Sequence, residues 1–202
     1  MPVELKLSEI KAVVFDLDNT LVSSNINFSH LREQLGCPKS EDLLTFSDSL
    51  PTAELQQKAH QLILDHELSD AANATPMPGC YDLIKFLESH GFRTGIVTRN
   101  SMTATEMKLS HCNISVDRVV SREEFAPKPS PEALIALAEE WQISPQNLLY
   151  VGDYLYDLQT ANNANMPCCL VTHDQDKPFE HLASLSLPHL DDLHFYLTGG
   201  VN

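Results

Sequence analysis

Five short apolar runs, separated by longer helix-patterned segments, constrain the fold of this chain. Each run has the length and composition of a buried strand. They are Ala12–Phe15, Thr94–Val97, Arg118–Val120, Leu148–Val151 and Cys168–Val171. Most are separated by segments with helical spacing of apolar residues, which are Tyr81–Ser89, Met102–His111, Pro131–Trp141 and Asp157–Ala164. This alternation predicts an α/β fold with a Rossmann-like parallel sheet that carries helices on both faces.

The segment between the first two runs breaks the alternation. Residues 24–76 contain no convincing strand, whereas Phe28–Leu35 and Ala53–Leu68 have the pattern of amphipathic helices. About fifty residues are far more than an ordinary connection between a strand and a helix needs. We therefore predict two domains: an α/β core of residues 1–23 and 77–202, and a small α-helical cap of residues 24–76 inserted after the first strand.

Charge and cysteine content narrow the class of protein. The 202 residues include 28 acidic and 13 basic side chains, and the net charge of −15 disfavours nucleic acid and anionic membranes as partners. The five cysteines form no C-x-x-C pair and the histidines lack ligand spacing, so we expect no zinc site. The N-terminal residues do not resemble a signal peptide, and no apolar stretch has transmembrane length. We expect a cytoplasmic protein, a monomer or a homodimer.

Polar side chains follow four of the predicted strands. They are Asp16 and Asp18 after the first strand, Thr98, Arg99 and Asn100 after the second, Lys128 after the third, and Asp153 and Asp157 after the fourth. Since the carboxyl ends of parallel strands meet at one edge of the sheet, these side chains are expected in one crevice. Two carboxylates placed two residues apart repel each other, and a bound hard cation together with separate acid and nucleophile roles would account for the pair.

With these motifs in this order, the chain resembles the haloacid dehalogenase-like superfamily, and within it the magnesium-dependent phosphatases that have a small helical cap. The family motif D-x-D-x-[TV] is matched by residues 16–20, the Thr and Lys motifs by Thr98 and Lys128, and G-D-x-x-x-D by residues 152–157. The resemblance spans about residues 13–157. Asn19 departs from the pattern, because many members have glycine there. The resemblance implies hydrolysis of a small phosphorylated metabolite, with phosphoglycolate as the first substrate to test.

The resemblance also implies a role for each matching residue. Asp16 would attack phosphorus and form an aspartyl phosphate, and Asp18 would protonate the leaving alcohol and then deprotonate the attacking water. Thr98 and Lys128 would complete the catalytic set. The residues expected to bind the phosphate or the substrate are Leu17, Asp18, Thr98, Arg99, Asn100 and Lys128. The residues expected to bind Mg²⁺ are Asp16, Asp18 through its backbone carbonyl, Asp153, and Asp157, which would act through water or instead orient Lys128.

Two other functions stay open at this level. A phosphomutase of the β-phosphoglucomutase type would use the same residues, although the cap looks short for it. A phospho-accepting signalling domain also gathers acids, a threonine and a lysine at strand ends, but a second aspartate and a large insert are not expected there. Each residue alone also has a simpler interpretation, such as a threonine that bonds to its own backbone or a solvated lysine.

Overall fold

The computed structural model describes residues 2–199, and the outermost ends of the predicted core domain, residue 1 and residues 200–202, lie outside them. The strands are β1 (Ala12–Phe15), β2 (Arg93–Val97), β3 (Arg118–Val120), β4 (Leu148–Gly152), β5 (Cys168–Val171) and β6 (Leu185–Leu187). The helices are α1 (Phe28–Leu35), α2 (Leu43–Asp48), α3 (Ala53–Ala71), α4 (Cys80–Ser89), α5 (Met102–His111), α6 (Glu132–Trp141), α7 (Leu155–Asn163) and α8 (Leu190–Gly199). Within the described range, no helix combines the length and apolarity that crossing a membrane requires.

The strands form one parallel sheet in the order β3-β2-β1-β4-β5-β6. From β1, the strands β2 and β3 follow on one side of the sheet, and β4, β5 and β6 follow on the other side. The direction of the strand order therefore reverses between the central strands β1 and β4. This confirms the predicted Rossmann-like fold. The sixth strand, Leu185–Leu187, was not predicted, because a serine interrupts its leucines and its residues are only partly buried, so no continuous apolar run marks it.

Helices cover both faces of the sheet. Along β1, Val13 and Phe15 face one apolar core with residues of α4 and α8, while Ala12 and Val14 face a second core with residues of α6 and α7. All four β1 side chains are fully buried. This is the reason that β1 appears as a continuous apolar run rather than an alternating one.

Helices α1, α2 and α3 lie between β1 and α4. They have a small apolar core of their own, centred on Leu31, Leu44 and Ile63, and α3 packs against α5. Helix α2 was not predicted, since its six residues are shorter than a recognisable helical pattern. The division of the chain into a core domain and a cap domain with the boundaries given above stays a prediction.

Three helices begin at residues other than those predicted, and the first of them, α4, starts at Cys80 rather than at Tyr81. Helix α6 starts at Glu132, with Pro131 at the N-cap rather than at the first helical position. Helix α7 starts at Leu155, two residues before the predicted Asp157. Asp157 therefore lies in the first turn, where its Oδ2 accepts a hydrogen bond of 3.0 Å from the backbone amide of Tyr154. That bond fixes one carboxylate oxygen and leaves the other for the site.

Candidate active site

The site lies where the strand order reverses, at the carboxyl ends of β1 and β4. Asp16 follows β1, and its amide donates to the Val151 carbonyl of β4 at 2.8 Å. The chain then turns sharply, with Asn19 at a φ of 57°. Asparagine adopts this left-handed region more readily than most residues other than glycine, so the departure from the family's glycine leaves the turn intact.

A buried ammonium group joins two of the strand ends. Lys128 Nζ is 2.5 Å from Asp16 Oδ1 and 2.7 Å from Asp157 Oδ1. The Lys128 side chain is only 5% exposed, which excludes a solvated surface lysine. Burial alone would lower the pKa of Lys128, but the carboxylates of Asp157 and Asp16 raise this pKa well above its usual value. The lysine is therefore a fixed positive charge beneath the carboxylates.

Three carboxylates converge beside this lysine. Asp16, Asp153 and Asp157 each offer an oxygen, and these oxygens lie within 4.8 Å of one another. Burial, together with Asp157 and Asp153, raises the pKa of Asp16 to about 8 despite the opposing effect of Lys128. Burial and Asp157 also raise the pKa of Asp153 to about 7. Lys177 Nζ lies 4.0 Å from Asp153 Oδ2, so two lysines face the three carboxylates. The hard oxygen donors of the cluster fit a divalent cation such as Mg²⁺.

The spacing of the last motif has a steric cause. A Cβ atom on Gly152 would lie 2.3 Å from Cγ of Asp157, far inside van der Waals contact. Only glycine allows the end of β4 to pass so close to the first turn of α7. Gly152 thus permits Asp157 to reach back to Lys128.

Asp18 has its own set of partners. Its Oδ1 is 2.5 Å from Lys108 Nζ, and its Oδ2 accepts a bond of 3.0 Å from Asn100 Nδ2. Lys108 Nζ is also 2.8 Å from Asp70 Oδ2 of α3, and Asp70 accepts bonds from the Asn25 amide and the Ser24 hydroxyl. The carboxylate of Asp18 is therefore held by two core residues, one of which is tied to the inserted helices.

Lys108 and Asp70 were not predicted as site residues. Lys108 is fully buried on α5, one turn after the buried Ala104. A lysine on the inward face of an amphipathic helix was the only available signal, and it is recognisable only once the buried face is known. Asp70 gave no signal, because acidic residues are common near helix ends.

The second strand end supplies hydrogen-bonding groups. Thr98 Oγ1 accepts a hydrogen bond of 3.2 Å from the Asn100 amide, so this threonine does bond to its local backbone. Its hydroxyl proton is still available for donation to a ligand. Arg99 is 2.5 Å from Asp42 Oδ2 of the insert and lies over the Tyr156 ring at 4.9 Å. Arg99 also donates to the Lys128 carbonyl.

One cavity of about 470 Å³ is lined by all the predicted site residues except Leu17. The Leu17 side chain is fully buried in the core, so its contribution is limited to its backbone. Among the hydrogen bonds of residues 2–199, none is donated by the Leu17 or Asp18 amide to a backbone or side-chain acceptor. Two amides beside Asp16 are thus available for a phosphate oxygen.

Three ion pairs join the insert to the core around this cavity. In each pair the insert supplies the carboxylate and the core supplies the cation; the pairs are Asp42–Arg99, Glu67–Arg122 and Asp70–Lys108. The inserted helices are consequently held over the carboxyl edge of the sheet by charge as well as by packing.

Comparison with known proteins gives consistent results. The family model for haloacid dehalogenase-like hydrolases matches residues 13–171. The chain is 34% identical to an uncharacterized hydrolase of Saccharomyces cerevisiae over 164 residues, 78% of this chain and 75% of that protein. It is 25% identical to a phosphoglycolate phosphatase of Nitrosococcus oceani over 185 residues, 79% of this chain and 82% of that one. A hydrolase from Pseudomonas syringae has the same fold, with a TM-score of 0.76 at 17% identity, covering 94% of this chain and 98% of that structure.

The fold and the site together define a hydrolase with a Rossmann-like fold, and its acidic centre lies at the carboxyl edge of the parallel sheet. The chain belongs to the haloacid dehalogenase-like hydrolase family, as its match over residues 13–171 shows. It is a hydrolase of that family.

Proposed function

We propose that this hydrolase is a phosphatase of phosphoric monoesters, that it depends on Mg²⁺, and that it works through a phosphorylated aspartate at position 16. The observation that carries the proposal is the convergence of the Asp16, Asp153 and Asp157 carboxylates beside the buried ammonium of Lys128, with a second acid at Asp18. One carboxylate must be ionised to attack, and another must exchange a proton. Such a division of roles requires two acids in different environments.

Mg²⁺ would be held by Asp16, the Asp18 carbonyl, Asp153 and Asp157. Bound there, it would neutralise negative charge on the phosphoryl oxygens and favour the ionised form of Asp16. Lys128 adds a fixed positive charge beside the attacking oxygen. The Thr98 hydroxyl and the amides of Leu17 and Asp18 are donors for the phosphoryl oxygens, and Arg99 and Asn100 are the other proposed phosphate or substrate contacts.

The reaction proceeds in two displacements at phosphorus. An Asp16 carboxylate oxygen forms a bond to phosphorus while the ester oxygen leaves, and Asp18 gives that oxygen a proton. Water then attacks the same phosphorus, Asp18 takes a proton from the water, and the bond from Asp16 to phosphorus breaks. The products are an alcohol and inorganic phosphate, and Asp16 and Asp18 return to their starting states.

Membership in a hydrolase family favours hydrolysis over the phosphomutase and signalling-domain alternatives. A small phosphorylated metabolite as substrate, the cytoplasmic location and the monomeric or homodimeric state stay predictions. Phosphoglycolate is the first ester to test, because the resemblance suggested it and one relative is a phosphoglycolate phosphatase.

The test of this function is phosphate release from a panel of monoesters with Mg²⁺ and with EDTA. The panel includes phosphoglycolate, sugar phosphates and nucleoside monophosphates. Turnover that requires Mg²⁺ supports the proposal. Stable labelling by acetyl phosphate without turnover of any ester would favour the signalling domain instead.

Replacing Asp153, in the variant Asp153→Ala, is expected to raise the Mg²⁺ concentration for half-maximal activity about tenfold or more, because a cation loses one charged ligand. The measurement is a Mg²⁺ titration of phosphate release. Asp82→Ala is the control, since Asp82 is an exposed aspartate of α4 outside the cavity. An unchanged titration of Asp153→Ala would remove this residue from the metal site.

Replacing Asp18, in the variant Asp18→Asn, is expected to lower kcat/KM for an alkyl phosphate by roughly a factor of 10² to 10⁴, since the alkoxide loses its proton donor. The loss for p-nitrophenyl phosphate is expected to be much smaller, because p-nitrophenolate leaves without a proton. The comparison uses kcat/KM, which reports the steps up to release of the alcohol. Equal losses for both esters would contradict the acid role.

A further inference from the structure

The cavity above the catalytic residues is large for the leaving group of phosphoglycolate. It has a volume of about 470 Å³ and extends from Asp16 and Lys128 at its base to the inserted helices. The phosphoryl group must lie at the base, within reach of Asp16. Cavities of this volume accommodate ligands of roughly drug size, whereas glycolate has only two carbons. The rest of the cavity therefore accommodates a larger leaving group.

The walls beyond the base are mainly apolar. The insert contributes Ile26, Phe28, Leu31, Leu43, Leu44 and Ile63, and the core contributes Tyr154 and Tyr156. Phe28 is 55% exposed and Tyr154 is 54% exposed, so two large rings at the cavity are not covered by the protein. The Tyr154 ring has edge contacts with Tyr156 at 5.6 Å and with Phe179 at 5.8 Å between centroids, and these contacts fix its position.

The charged groups of the cavity leave little attraction for a second anion. Six carboxylates and three cations line it, the cations being Arg32, Arg99 and Lys128. The carboxylates of Asp18, Glu67 and Asp153 have further cations just outside the lining, which are Lys108, Arg122 and Lys177. Each of the three cations that line the cavity also has partners within the protein. Arg99 is paired with Asp42, and Lys128 is paired with two aspartates of the acidic cluster.

Arg32 is held by neutral acceptors of the insert. Its Nη1 donates to the carbonyls of Pro38 at 2.9 Å and Glu41 at 2.7 Å, and contacts Cys37 Sγ at 3.1 Å. A second anionic group would have Arg32 as its best partner, although it would have to compete with the carbonyls of Pro38 and Glu41 for this guanidinium group. If the protein preferred phosphoglycolate, Arg32 would therefore be the residue expected to bind its carboxylate.

We propose that the alcohol released by this phosphatase is uncharged and has a flat apolar surface, such as an aromatic ring, which packs between Phe28 of the insert and Tyr154 of the core. The inference rests on the proposed function and specifies its substrate class. The leaving group would gain contact with both exposed rings and remove their apolar surface from water. An uncharged leaving group would need no cation, and the three cations that line the cavity already have partners within the protein.

The test compares kcat/KM for 2-phenylethyl phosphate, ethyl phosphate and phosphoglycolate, all esters of primary alcohols. We expect kcat/KM for the phenylethyl ester to exceed that for each of the others by about tenfold or more, because burial of one aromatic group is worth about this factor. In Phe28→Ala, kcat/KM for the phenylethyl ester should fall about fivefold more than that for ethyl phosphate. The control is Phe195→Ala, because Phe195 is an exposed phenylalanine of α8 that does not line the cavity.

The outcomes separate this inference from the function on which it rests. A preference for phosphoglycolate, or equal losses for both esters in Phe28→Ala, overturns the assigned substrate class and leaves the phosphatase intact. Failure to hydrolyse all three esters and also acetyl phosphate, with Mg²⁺ present, overturns the proposed function and the inference with it.

Discussion

Asp16→Asn is expected to lower phosphate release by roughly three orders of magnitude or more while the chain stays folded. An amide does not attack phosphorus as a carboxylate does, so the loss is that of a nucleophile. The amide has nearly the shape of the carboxylate and its oxygen can still accept the bond from Lys128. The measurement is kcat on the best ester of the panel at saturating Mg²⁺, with circular dichroism to verify the fold.

The same variant has an expected effect on stability. The pKa of Asp16 is raised from 3.8 to about 8 by burial and by the neighbouring carboxylates, which means that the folded state binds the proton more tightly than the unfolded chain does. Without a cation, the stability conferred by the protonated form is therefore lost as the pH rises from about 4 to about 8. Asp16→Asn removes this titration, so at pH 8 in EDTA it should unfold at no lower urea concentration than the unchanged protein.

Asp82→Asn serves as the control for both measurements, because Asp82 is exposed on α4. Activity of Asp16→Asn within tenfold of the unchanged protein would contradict the nucleophile assignment. Loss of the fold in Asp16→Asn alone would instead indicate a structural role for this carboxylate.

Lys128→Met is expected to abolish activity and to destabilise the protein as well. The substitution removes the ammonium group that lies 2.5 Å from Asp16 and 2.7 Å from Asp157, leaving the acidic cluster without its buried counter-charge. Removing one partner of a buried ion pair costs about 3–5 kcal/mol, so the free energy of unfolding in EDTA should fall by about this amount. Mg²⁺ should restore part of the stability, because a cation replaces part of the missing charge, but it should not restore activity.

The measurement for Lys128→Met is urea denaturation with Mg²⁺ and with EDTA, next to phosphate release. Lys85→Met is the matched control, since Lys85 is an exposed lysine of α4. A fall of less than about 1 kcal/mol in EDTA, the range of exposed ion pairs, would show that Lys128 is not the buried counter-charge of the cluster.

The sequence predicted which side chains meet at the carboxyl edge of the sheet because strand length and strand ends are local properties. Asp16, Thr98 and Asp153 follow apolar runs whose ends can be read directly, and parallel strands bring such ends to one edge. The steric need for Gly152, which the structure shows, is likewise local, because Gly152 and Asp157 are only five residues apart in the chain.

The contacts made by the insert could not be predicted in this way. Lys108 reaches Asp18 and Asp70 only because α5 packs against α3, and that packing depends on how the inserted helices settle on the core. Helix α2 and strand β6 were missed for different reasons: the six residues of α2 are too few to show helical periodicity, and β6 is a partly buried strand without a continuous apolar run. The same insert provides most of the apolar side chains of the cavity wall, which is why the motifs indicate phosphoryl chemistry but not the alcohol.

The most direct test of the central claim is chemical trapping of the phosphorylated enzyme during turnover of p-nitrophenyl phosphate with Mg²⁺. The reaction is quenched in acid, the acyl phosphate is reduced with borohydride, and the modified position is located by mass spectrometry. The unchanged protein and Asp18→Asn are compared, because the second step lacks its proposed base in the variant and the intermediate should accumulate there. If Asp16 is the nucleophile, the modification is expected at Asp16, where it is strongest in Asp18→Asn and lost in Asp16→Asn. Modification at another aspartate, or hydrolysis with no modified aspartate in either protein, would contradict it.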